Sequence, residues 1–132
     1  MIMADTSVWV DHLRKLDTSL VNLLRANRIC IHPFIIGELA LGHLKNRNKV
    51  LQALHGLPHL SVANDNDVMG FIETHDLFGK GIGLVDVHLL AAAHLKGNCA
   101  IWARDKRLFT VADSLKLTVK NLKWQCAEAL PD

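Results

Sequence analysis

Three short runs without a charged residue constrain this chain most: Ile2-Met3-Ala4, Ile29-Cys30-Ile31 and Cys99-Ala100-Ile101-Trp102-Ala103. Each is too short for an ordinary helix and too uniformly apolar for a strand with one face in water. Strands of that kind are buried on both faces, as in a parallel sheet covered by helices. Helical spacing fills the stretches between them, so short strands alternate with helices. That order predicts an α/β domain around a central, mainly parallel sheet. The 132 residues make one domain, residues 1–132, large enough to bury a core without staples.

The connecting stretches predict helices over residues 7–13, 18–26, 33–44 and 46–54, another from residue 64 to about 77, and a strongly apolar one over 84–95. Pro33 suits a first helical turn, where its missing N–H has no helical partner. Asn64-Asp65-Asn66-Asp67 is a helix start rich in cap residues, with acids favoured by the positive end of the helix dipole. Asp105-Lys106-Arg107-Leu108 opens a further helix. An extended piece over 59–62 and a last strand around 117–120 complete the pattern. The glycines of Gly79-Lys80-Gly81-Ile82-Gly83 make a flexible loop but lack P-loop or dinucleotide spacing.

Composition excludes several classes. A formal charge of +2 is too small to argue for nucleic acid by itself, so only the distribution of charge can do so. Cys30, Cys99 and Cys126 lack metal-type spacing; Cys30 and Cys99 sit in apolar runs and read as reduced core thiols. The start has no basic n-region before an apolar core, and no run approaches a membrane-spanning length. A cytoplasmic protein without a membrane partner is expected.

The chemistry rests on four acids. Asp5 and Asp105 each follow an apolar strand, where groups at the carboxyl ends of parallel strands face a ligand crevice. Glu38 and Asp86 are each the lone acid of a mostly apolar helix, a costly place for a charge that is not paired or metal-bound. Each residue also has a purely structural reading: Asp5 and Asp105 as helix N-caps, Asp86 as a first-turn acid, Glu38 as half of an arginine pair. Taken together, gathered carboxylates repel unless a cation neutralises them. Hard oxygen donors select Mg²⁺ or Mn²⁺ over zinc, and such clusters serve attack of water on phosphodiesters. Thr6 or Ser7 is placed to position a ligand or water. Arg104, Lys106 and Arg107 adjoin this site as candidate phosphate contacts, with Lys45, Arg47 and Lys49 extending the groove; solvated helix charge is the other reading.

The quoted residues resemble a known family. Met1-Ile2-Met3-Ala4-Asp5-Thr6-Ser7-Val8-Trp9-Val10-Asp11-His12-Leu13 looks like the opening of PIN-domain ribonucleases, specifically the VapC toxins of VapBC toxin–antitoxin modules. Gly37-Glu38-Leu39-Ala40, Gly83-Leu84-Val85-Asp86-Val87-His88-Leu89-Leu90-Ala91 and Ile101-Trp102-Ala103-Arg104-Asp105-Lys106-Arg107-Leu108 resemble its later motifs, in order. The resemblance implies a three-layer α/β/α PIN-like domain and a Mg²⁺- or Mn²⁺-dependent endoribonuclease. It also implies a homodimer and silencing by a VapB-like antitoxin. Asp5, Glu38, Asp86 and Asp105 fall on the family's acidic, catalytic positions, with Asp5, Asp86 and Asp105 as metal ligands and Thr6 and Ser7 on its hydroxyl positions. Ala103 departs from the pattern, since many relatives carry Thr there. The alternative is a non-nuclease α/β signalling or binding domain with an acidic metal pocket; the single acid of Asp5-Thr6 after the first strand counts against it. Apolar faces formed by Leu20, Val21, Leu23, Leu24, Phe34, Ile35, Ile36, Leu39 and Leu41 are candidates for the antitoxin groove.

Overall fold

The computed structural model describes residues 1–119. Three parallel strands form its centre: β1 (Ile2–Ala4), β2 (Ile29–Cys30) and β3 (Ala100–Trp102), in the order β2-β1-β3. Ile2 and Met3 pair with Ile29 and Cys30 on one side, while Ile2, Met3 and Ala4 pair with Ala100, Ile101 and Trp102 on the other. Single parallel bridges, Ile31 to His59 and Ile101 to Thr118, widen the sheet at both edges. The extended pieces expected near 59–62 and 117–120 contribute these bridges rather than strands, and residue 120 lies outside the described residues.

Seven helices cover the sheet in a three-layer α/β/α arrangement: α1 (Thr6–Arg14), α2 (Thr18–Arg25), α3 (Pro33–Ala40), α4 (Arg47–His55), α5 (Asp65–Thr74), α6 (Leu84–Lys96) and α7 (Lys106–Ser114). Side-chain caps begin most of them. Asp5, Asp17, Asn64 and Asp105 each accept a backbone N–H of the first turn, and His32 does so for α3, whose first residue is Pro33. Helix α3 stops at Ala40, short of the expected residue 44, because the Gly42 N–H turns back to the Leu39 carbonyl. The Arg47 guanidinium then closes on the Ala40 carbonyl at 3.0 Å.

Both faces of the strands are buried, and the core gathers Met3, Leu20, Ile29, Ile31, Ile35, Leu89, Leu90, Ile101 and Trp102. Cys30 and Cys99 are buried free thiols with sulfurs 3.7 Å apart, as the apolar runs required. Four of the nine residues expected on the antitoxin faces are therefore spent inside the molecule. Leu20, Ile35, Ile36 and Leu39 are core residues, whereas Leu41 is 91% exposed and Leu16 is exposed too. No helix among the described residues is long and apolar enough to cross a membrane.

Ile101 is fully buried at the centre of this sheet. Ile101→Ala should cost about 2–5 kcal/mol, through lost burial and the cavity left behind. Urea unfolding reads that loss, and a variant within about 0.5 kcal/mol of the parent would contradict the placement of Ile101 in the core.

Candidate active site

Strand order places the candidate site. From β1 the chain passes to β2 on one side, whereas β3 leads to the Thr118 bridge on the other. The carboxyl ends of β1 and β3 thus flank a topological switch point, the crevice where open α/β sheets bind ligands. Asp5 stands directly after β1 and Asp105 three residues after β3. The Asp5 N–H donates to the Trp102 carbonyl at 2.9 Å, joining the two strand ends.

The capping reading of Asp5 and Asp105 holds. One oxygen of Asp5, Oδ1, accepts from the Ser7 hydroxyl at 2.6 Å and the Val8 N–H at 3.1 Å. Asp105 Oδ1 accepts the Leu108 N–H at 3.0 Å. Asp86, in the first turn of α6, accepts the Gly83 N–H at 3.3 Å. Thr6 donates to Glu38 Oε1 at 2.6 Å, linking α1 to α3. Both hydroxyls therefore serve acids, Ser7 serving Asp5 and Thr6 serving Glu38.

Burial differs from what the sequence suggested. Only Asp5 is buried; Asp86 is half-buried, and Glu38 and Asp105 are exposed. Glu38 reaches water because it shares the open side of α3 with Gly37, and its partner is a hydroxyl rather than an arginine. Glu38 therefore bears no desolvation cost that a cation would have to relieve. Burial raises the Asp5 pKa, against hydrogen bonds from Ser7 and the Val8 and Arg104 N–H groups, and the Asp86 charge raises it further. Burial also raises Asp86, against the Gly83 N–H, and Asp105 and Glu38 add to the rise. Asp86 is therefore the hub, with the charges of the other three acids reaching it.

This donor set suits a hard divalent cation by its chemistry and its unrelieved repulsion. It is not a closed cage, since among the described residues no three His, Cys, Asp or Glu side chains are arranged to hold an ion as they stand.

The basic candidates divide. The Arg104 guanidinium bridges Asp11 Oδ2 and Asp17 Oδ2 and lies 5.5 Å from the Trp102 ring centroid. It ties the end of β3 to α1 and α2, so its side chain is committed to structure. Lys106 and Arg107 stand exposed in the first turn of α7, beside Asp105. The Arg107 stem lies against Gly81, where an added Cβ would come within 2.8 Å of its Cδ. Lys45 lines a cleft of about 670 Å³ together with Val10, Leu13, Glu38, Leu39 and Val50.

Two histidines behind the acids carry no sequence signal of their own. His32 and His88 are buried with ring centroids 6.5 Å apart, and Phe34 packs edge-on against both. His32 Nδ1 accepts the Phe34 N–H at 3.0 Å, so the neutral ring carries its proton on Nε2. Burial, with the neighbouring His88, lowers the His32 pKa to about 4.

Two outcomes follow. With its folded pKa depressed, His32 contributes stability above its unfolded value of about 6.5, and this is lost as pH falls toward about 4. The full shift equals about 3 kcal/mol, reduced to about 1–2 kcal/mol by residual solvation. His32→Asn keeps a good cap and should flatten thermal stability across that window; an unchanged slope contradicts the assignment. Asp5→Asn likewise keeps the α1 cap while removing repulsion with Asp86. Without added metal it should stabilise the protein by about 1 kcal/mol, and a clear loss of stability would contradict the repulsion.

The comparisons with known proteins give the family. The chain matches the PIN domain family over residues 2–114. It is 44% identical over 108 residues to the protein named Ribonuclease VapC32 in two Mycobacterium tuberculosis strains, CDC 1551 / Oshkosh and H37Rv. That match covers 82% of this chain and 87% of each relative. With adjacent strand-end acids at the switch point of a three-layer α/β/α fold, the chain belongs to the PIN domain family as a VapC-like member.

Proposed function

We propose that this chain is a divalent-metal-dependent endoribonuclease, the toxin of a toxin–antitoxin pair. The observation that carries the reading is the grouping of Asp5, Glu38, Asp86 and Asp105 around one switch point, with Asp86 feeling the charge of the others. The name Ribonuclease VapC32 on a relative matched over most of its length supports RNA as the substrate and a VapB-like antitoxin as the partner. A homodimer and a cytoplasmic location belong to the same reading.

Asp5, Asp86 and Asp105 would hold Mg²⁺ or Mn²⁺. When bound, the cation supplies Lewis-acid stabilisation of the phosphate and lowers the pKa of water. Glu38 binds the Thr6 hydroxyl through Oε1, which fixes the carboxylate and leaves Oε2 to take the proton of the attacking water. That water forms the new P–O bond as the opposite P–O bond of the RNA breaks. Ser7 and the Val8 N–H orient Asp5. Lys106 and Arg107 lie where the phosphates flanking the cut would pass. The Arg104 side chain, engaged with Asp11 and Asp17, sets the β3 end instead of gripping phosphate.

The cleft holding Val10, Leu13, Leu39 and Val50, with Glu38 in its wall, suits an apolar helix of the antitoxin. A basic side chain on that helix would reach Glu38 and displace both cation and substrate.

Cleavage of a single-stranded RNA by the purified protein should require Mg²⁺ or Mn²⁺ and cease in chelator. Asp86→Asn should lower the rate on the order of 10²-fold or more with the fold intact by circular dichroism. Cleavage that continues in chelator would point to histidine acid–base chemistry. Cation binding without any cleavage would mark a binding domain.

A further inference from the structure

Phe78 stands apart from the other described aromatic residues. Trp9, Trp102 and Phe71 are buried and Phe34 and Phe109 half-buried, whereas Phe78 is 67% exposed. It opens the loop of residues 78–83, which turns through positive φ at Gly79 and Gly81. The second half of the loop is tied to residues around the acids. The Gly83 N–H donates to the Asp86 carboxylate, and Arg107, two residues after Asp105, lies against Gly81. Gly83 lies five positions after Phe78, so Phe78 stands within about 17 Å of the Gly83 N–H that binds Asp86, and closer where the loop turns. Exposed Lys80 and Arg107 on either side of the loop add positive charge for the intervening phosphates, and exposed Leu84 continues the apolar shelf.

We propose that Phe78 is a stacking platform for an unpaired RNA base, carried on the loop that the Gly81–Arg107 contact and the Gly83–Asp86 hydrogen bond hold. The inference rests on the ribonuclease reading and deepens it. Single-stranded nucleic acid is bound by a cationic groove that tracks the backbone and aromatic rings that stack the bases. A docking partner of protein alone would find little use for the flanking cations, whereas an RNA strand uses both features.

Binding is measured by fluorescence anisotropy with a labelled single-stranded oligoribonucleotide in chelator, where the metal-dependent cut does not occur. Phe78→Ala should weaken binding about 5- to 100-fold, Phe78→Leu nearly as much, and Phe78→Trp should restore it. Gly81→Ala should weaken it in the same direction without touching Phe78, because it strains a residue at φ +76° and crowds Arg107. Replacing single bases by abasic sites should find one position whose removal weakens the parent but costs Phe78→Ala nothing further. Unchanged binding by Phe78→Ala overturns the proposal, as do equal abasic losses in parent and variant. Sedimentation showing that Phe78→Ala disrupts a dimer while RNA affinity holds overturns it in favour of a second copy covering Phe78. If the parent protein binds no RNA at all, the ribonuclease reading itself falls, which is distinct from a parent that binds and a Phe78 that does not matter.

Discussion

The pairing of β1 with β3 is the constraint on which the rest depends. Ala4 sits beside Trp102, and the next N–H, that of Asp5, continues the ladder to the Trp102 carbonyl at 2.9 Å. This register brings together two acids exactly one hundred positions apart in sequence only because both strands end at the same level. A slip of one residue would turn Met3 and Ile101 to opposite faces and separate the acids. Full burial of Met3 and Ile101 makes that slip costly, so core packing holds the site's geometry.

Asp5 and Asp105 each cap a helix with one carboxylate oxygen. Capping a helix fixes the side chain's rotamer, and the N-terminal end of a helix favours its negative charge. The same placement crowds like charges, and burial makes the crowding worse for Asp5. The fold therefore keeps carboxylates that repel one another, held by caps strong enough to keep them in place. Active sites commonly hold such local conflict between stability and function.

The strands, the caps at Asp5, Asn64 and Asp105 and the proline start of α3 were legible because each is a local rule. Three features were not. Arg104 looked like a phosphate contact, but Asp11 and Asp17 capture its guanidinium across more than eighty residues of sequence, and no local pattern announces such a partner. Glu38 looked buried because α3 is apolar, yet the helix ends early and leaves Gly37 and Glu38 on its open side. His32 carried no signal in the sequence; it proves to be the α3 cap and part of a buried ring cluster with Phe34 and His88. Long-range pairing and helix ends decide these cases, and both depend on the assembled tertiary structure. The shared edge of Asp5 and Asp105 was legible because the ends of adjacent parallel strands lie together.

The account's central claim is that these acids hold a divalent cation together. Anomalous diffraction from crystals soaked in Mn²⁺ tests it most directly. The predicted result is a manganese peak touching Asp86 and at least one of Asp5 and Asp105, at the ~2.0–2.3 Å of oxygen ligation. A peak elsewhere on the molecule, with these carboxylates still splayed around Asp86, would contradict it.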